Sequence, residues 1–130
     1  MAKWSMDYPG QSGHYHFSLL DEEGTNVFFD GAKDSSISEL QLNALGGLTK
    51  YLPVFLPMLA PTINSYTRLV KGAWAPNSST WGVENRTAAI RVIPGSARSQ
   101  RIECRAGGAD GNPYLAGAAI LGAALLGIRE

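Results

Sequence analysis

Cysteine is almost missing from this sequence. Cys104 is the single one in 130 residues, which excludes an internal disulfide framework and suits a reducing, cytoplasmic setting. Long apolar runs are missing as well. Leu48 to Ile63 is interrupted by Pro53, Pro57 and Pro61, which would break a continuous helix. Pro113 to Ile128 is 16 residues, roughly 24 Å as a helix against a hydrocarbon layer of about 30 Å. Both read as buried segments rather than membrane spans. No apolar segment follows Lys3, so the N-terminus does not read as a signal peptide. Net charge is absent too: 11 basic residues balance 11 acidic ones, so no overall field recruits nucleic acid or an anionic membrane.

What is present describes a folded chain. It is 45% hydrophobic with twelve aromatics, which excludes disorder, and its length suits one domain with a real core. The charge balance hides an asymmetry. Residues 1–67 are net −4, whereas residues 68–105 carry six Arg and one Lys against only Glu84 and Glu103, net +5. An anion is the natural ligand of such a stretch.

The element pattern is α+β with a mostly antiparallel sheet and packed helices. His14 to Leu20 and Asn26 to Phe29 read as strands joined by a turn-rich Asp21-Glu22-Glu23-Gly24. Ser36 and Glu39 form an expected capping box for a helix carrying Ile37, Leu40, Ala44, Leu45 and Leu48, weakened at Gly46-Gly47. A second short helix is expected over about 51–59, a long loop over 70–80, and strands near 80–84, 87–93 and 100–105. Asp110 or Asn112, with Pro113 in the first turn, starts a last helix over 113–128, whose Gly117, Gly122 and Gly127 would allow close approach to a sheet.

Residues two apart share a face of a strand. His14, His16 and Ser18 therefore line one face of the first strand, and Arg101, Glu103 and Arg105 one face of the last. The same alternation describes two ordinary half-buried strands whose polar faces meet water. Imidazole and carboxylate donors, however, also suit a divalent cation, and His14 with Glu103 would supply two ligands, with water, phosphate or further carboxylates completing the shell. Arg68, Arg86, Arg91, Arg101 and Arg105 carry the bidentate fork that recognises carboxylate or phosphate. Strict alternation puts Arg86 and Arg91 on opposite faces, so one of them belongs to a loop or bulge. Pro9-Gly10-Gln11-Ser12-Gly13 precedes a strand and so lacks the helix start of a phosphate loop. Cys104 reads as a core thiol.

Four blocks in order carry a resemblance to a known family: Gly-Gln-Ser-Gly-His-Tyr-His-Phe-Ser within Lys3–Ser18, Asn64-Ser65-Tyr66-Thr67-Arg68-Leu69-Val70, Asn85-Arg86-Thr87-Ala88-Ala89-Ile90-Arg91, and Arg101-Ile102-Glu103-Cys104-Arg105 with Gly108-Ala109-Asp110-Gly111-Asn112-Pro113-Tyr114-Leu115. Together they resemble the C-terminal part of the catalytic domain of the glutamine synthetases. The resemblance implies ATP-dependent ligation, in which the γ-carboxylate of glutamate is phosphorylated and ammonia or another small amine displaces the phosphate. It implies Mg2+ or Mn2+ on His14 and Glu103. His16, Ser18, Arg91 and Arg101 would contact the nucleotide, and Gly10, Arg68 and Arg105 would hold glutamate. Arg86, like Arg91 and Arg101, would serve the phosphates, and it is the expected catalytic arginine. It also implies a large ring-shaped homo-oligomer in the cytoplasm.

Three departures stand out. Trp4 follows the signature lysine where the family has proline. Trp74, in Gly72-Ala73-Trp74-Ala75-Pro76, stands where ammonium-using members carry a glutamate, which opens the reading of an organic-amine ligase. The resemblance covers only part of a domain. The chain on its own is therefore expected to be a single partial domain over 1–130, inactive as a ligase and prone to self-association; a non-catalytic binding protein or a small anion-binding domain are the alternatives.

Overall fold

In a computed structural model describing residues 1–130, the chain runs β1 (Tyr15–Phe17), α1 (Glu39–Leu59), α2 (Ile63–Tyr66), β2 (Trp81–Val83), β3 (Ile90–Ile93), β4 (Arg101–Cys104) and α3 (Pro113–Arg129). The strands form one sheet in the order β1-β4-β3-β2. Two of its pairings, β1 with β4 and β3 with β4, are antiparallel as expected. The third is parallel: β2 runs beside β3. The turn over 84–88 returns the chain to the start of its own neighbour rather than folding it back as a hairpin.

Register fixes the two faces. His16 lies across from Glu103 and Glu103 across from Arg91, so three strands contribute one polar row. The rows on either side, Tyr15–Cys104–Ile90 and Phe17–Ile102–Val92, point the other way and join the apolar core. That core is shared by Leu45, Leu48 and Leu52 of α1 and by Ala116, Ile120 and Ala123 of α3. The molecule is thus a sheet, a helix on its apolar face, and a second helix packed on the first.

Four expectations need correction. The cap of α1 is Ser38, whose side chain accepts from the Gln41 N–H at 3.1 Å. Ser36 cannot cap, because its φ of 55° lies in the left-handed region while a cap residue is extended. The two expected helices are one, α1, which runs through Gly46-Gly47, Pro53 and Pro57. Pro53 removes the N–H that would reach the Thr49 carbonyl, and the Ser79 hydroxyl donates to that carbonyl instead, at 2.5 Å. Both prolines sit on the exposed side of the helix, four residues apart. The segment 26–29 makes only isolated bridges, Leu20 with Asn26 and Phe29 with Ile37, rather than a strand. Finally, the glycines of α3 do not face the sheet. Gly127 meets Gly47 of α1, where a Cβ on either would lie 2.2–2.3 Å from backbone oxygen, while Gly117 and Gly122 face open space. The close approach is helix against helix.

Candidate active site

The polar row of the sheet gathers around one carboxylate. Glu103 has only 3% of its side chain exposed, and both of its oxygens are engaged. Oε1 accepts from Arg105 Nη1 at 2.8 Å and meets His14 Nδ1 at 3.0 Å, with His16 Nε2 at 3.5 Å. Oε2 accepts from Arg91 Nη1 at 3.1 Å. The alternation of strands β1 and β4 is the cause: 14 and 16 face 103 and 105, as their period of two requires. Arg101 Nε donates to His16 Nδ1 at 3.2 Å, and Arg101 Nη1 to the Ser99 carbonyl.

These contacts set protonation states. Burial would raise the Glu103 pKa, but the Arg91 hydrogen bond and the Arg105 charge outweigh it and hold the carboxyl below its ordinary 4.5. Burial, then the Arg105 charge, lowers His14 below 6.5. At neutral pH the pair is therefore a carboxylate and a neutral imidazole. The His14 proton then sits on Nδ1, donated to Glu103 Oε1.

A fourth arginine lies beside the cluster. Arg68 is buried and its Nη2 donates to the carbonyls of Ala106 and Gly107, both at 2.8 Å. Its stem crosses Gly10, where a Cβ would come within 2.8 Å of Arg68 Cγ, so this position admits only glycine. The Nε–H groups of Arg68 and Arg105 are buried without an acceptor. Two orphaned cationic donors on one side of the sheet fit an anion such as a carboxylate. Arg105 Nη2 also donates, at 3.4 Å, to the carbonyl of Trp74 in the 70–80 loop. That loop borders a polar cavity of about 400 Å³ lined by Lys71, Trp74, Asn77, Thr80 and Thr87.

The other expected residues stand outside this network. Ser18 is exposed one step beyond β1, and Arg86 is exposed in the turn after β2, without a hydrogen bond or ion pair. Arg86 is thereby the loop member of the Arg86–Arg91 pair, as their spacing requires. One further participant belongs to the network. Glu84, left-handed at φ 51°, takes Arg91 Nε at 3.2 Å and also its Nη2. Its signal in the sequence is slight: it is the only acid besides Glu103 within 68–105.

The donor set fits a divalent cation in kind but not in number. No group of three or more His, Cys, Asp or Glu is placed to hold a metal. His14 and Glu103 are two suitable donors, and water, phosphate oxygens or further carboxylates must supply the rest. Cys104 is no candidate ligand, since burial pushes its thiol up to about 11.

Comparison with known proteins decides the family. A model of the glutamine synthetase catalytic domain matches residues 1–130. The chain belongs to the glutamine synthetase family. It is 46% identical over 130 residues to type-1 glutamine synthetase 2 of Dictyostelium discoideum, covering 98% of this chain and 25% of that protein. It is 41% identical over 130 residues to a glutamate–isopropylamine ligase of a Pseudomonas species, covering 100% of this chain and 28% of that one. A γ-glutamylputrescine synthetase of Escherichia coli is 38% identical over 128 residues, 98% of this chain and 27% of that protein. The chain thus spans about a quarter of the length of the curated relatives it matches. No helix in it is long and apolar enough to cross a membrane.

Proposed function

We propose that this site belongs to an ATP-dependent ligase joining the γ-carboxylate of glutamate to ammonia or a small amine through a γ-glutamyl phosphate. The observation that carries the reading is the Glu103 cluster: one buried carboxylate held by two arginines and faced by two histidines on a single sheet face. Arg68 and Arg105 hold the carboxylates of glutamate, and Gly10, whose missing side chain makes room for the Arg68 stem, contacts that substrate through its backbone. His16, Ser18, Arg91 and Arg101 serve the nucleotide. Arg86, free of partners on the rim, reaches the transferring phosphoryl group, where positive charge stabilises the spread negative charge of the transition state. His14 and Glu103 would hold Mg2+ or Mn2+, which supplies charge neutralisation at the phosphates. The setting is cytoplasmic and the complete protein a large homo-oligomer.

A second reading concerns the amine. Trp74 is 66% exposed beside the polar cavity, and its carbonyl sits on Arg105, next to the glutamate site. An indole there covers an organic ammonium through its π face better than it deprotonates ammonium. Two of the relatives named above are ligases of organic amines by name. The test is ADP release by the full-length protein, with glutamate and either ammonium, methylamine or a polyamine. Turnover with an organic amine alone selects the second reading, turnover with ammonium the first, and glutamate-independent release refutes both.

A further inference from the structure

Arg91 is occupied twice, and unequally. Its inner nitrogen, Nη1, is bound by Glu103, whose side chain is 3% exposed and held by Arg105 as well. Its outer edge, Nε and Nη2, is bound by Glu84 through a single oxygen, and the Glu84 side chain is 49% exposed. That outer edge is the two-pronged fork with which arginine receives phosphate or carboxylate oxygens. Glu84 therefore fills the fork and cancels the positive charge that Glu103, shared with Arg105, leaves on it, so an incoming anion meets an occupied and neutralised site.

The backbone around Glu84 makes the two carboxylates differ in kind. Glu103 lies inside β4, fixed by pairing on both sides. Glu84 follows β2 in the left-handed region at φ 51°, and its N–H is anchored to the Val92 carbonyl at 2.9 Å. Its main chain is therefore held while its side chain can leave into solvent by rotamer change alone. We infer that Glu84 is an intramolecular stand-in for an anionic ligand: it closes the outer fork of Arg91 when the site is empty and swings away when a phosphate group takes its place. The inference rests on the phosphate role proposed above for Arg91. Glu84 thereby selects for ligands with enough negative charge to displace it, such as polyphosphates, over singly charged anions.

Inorganic pyrophosphate, titrated by calorimetry into the 130-residue chain, is the probe. Glu84→Gln removes the charge. Glu84→Gly removes the side chain at a position whose φ suits glycine, so it keeps the turn. If the fork is closed about nine-tenths of the time, opening it tightens apparent binding roughly tenfold. Both variants are expected to show that gain, and Arg91→Gln added to Glu84→Gln is expected to abolish it. Binding that is unchanged or weaker in Glu84→Gln and Glu84→Gly, while Arg91→Gln weakens binding, overturns the gate and leaves the phosphate role of Arg91 standing. If Arg91→Gln changes nothing in either background, or if no variant binds pyrophosphate, the phosphate role fails and the gate with it.

Discussion

At the scale of single residues, Glu103 organises the site because two buried arginines share its charge. Arg105, with 7% of its side chain exposed, has this carboxylate as its one ion-pair partner, and Arg91, with 12% exposed, divides between it and Glu84. Removing one member of a buried ion network strands its partners. Glu103→Gln, isosteric but uncharged, is accordingly expected to destabilise the chain by about 3–5 kcal/mol, read as a lower urea midpoint at unchanged slope. The same cluster gives stability a direction with pH. His14 titrates below its ordinary 6.5 because burial, then Arg105, disfavours the imidazolium, so the folded chain refuses a proton that the unfolded chain accepts. Its contribution is full above 6.5 and is lost as pH falls from there toward the folded value. Glu103, held below 4.5 by Arg91 and Arg105 against burial, contributes fully above 4.5 and loses its share as pH drops further. Urea midpoints should therefore fall in two stages on acidification. His14→Gln is expected to remove the upper stage only; an unchanged upper stage in that variant would locate the titrating group elsewhere.

At the scale of elements, helix contacts rather than helix propensity decide α1 and α3. Gly46 faces open space, whereas a Cβ at Gly47 would lie 2.2 Å from the Ala123 carbonyl oxygen and 2.7 Å from Gly127 Cα. Gly46→Ala is expected to stabilise by up to about 1 kcal/mol and Gly47→Ala to destabilise by about 3 kcal/mol or more, since helix and helix must part to admit the methyl group. Thermal denaturation of the two variants reads the opposite signs. Ser38→Ala, which removes the cap of α1, is expected to cost about 1 kcal/mol. The elements differ in how far the sequence discloses them. The face shared by His14, His16, Glu103 and Arg105 is legible because strand alternation is local and rigid. The continuity of α1 is not, because the group that takes the Thr49 carbonyl freed by Pro53 is the hydroxyl of Ser79, 30 residues from Thr49 across the fold. Nor is the glycine that matters: Gly117, Gly122 and Gly127 look alike in a helix, and only the partner Gly47 distinguishes the last. Glu84 stays hidden for a similar reason, since its reach to Arg91 depends on a left-handed backbone more typical of Gly or Asn.

At the scale of the molecule, the charge excess of residues 68–105 is delivered to one side of a four-stranded sheet while the helices fill the other. That division explains why the site is rich in positive charge yet poor in metal donors. Arginines suit carboxylate and phosphate, but His14 and Glu103 offer only two of the ligands a divalent cation takes, about six in an octahedral shell. In-line phosphoryl transfer needs the metal, the nucleotide and the acceptor carboxylate held together, and a half-supplied cation does not hold them. The edges of the sheet tell the same story. β2 lies at one end with Trp81 41% and Val83 49% exposed, a strand open to pairing with another chain. The purified 130-residue chain is accordingly expected to self-associate, seen as a concentration-dependent sedimentation coefficient. It is also expected to release no ADP above the enzyme-free rate when given ATP, glutamate, Mg2+ or Mn2+, and ammonium or an organic amine. Glutamate-dependent release of ADP by that chain would show that arginines and two protein ligands suffice for the transfer, and would overturn the argument from donor number.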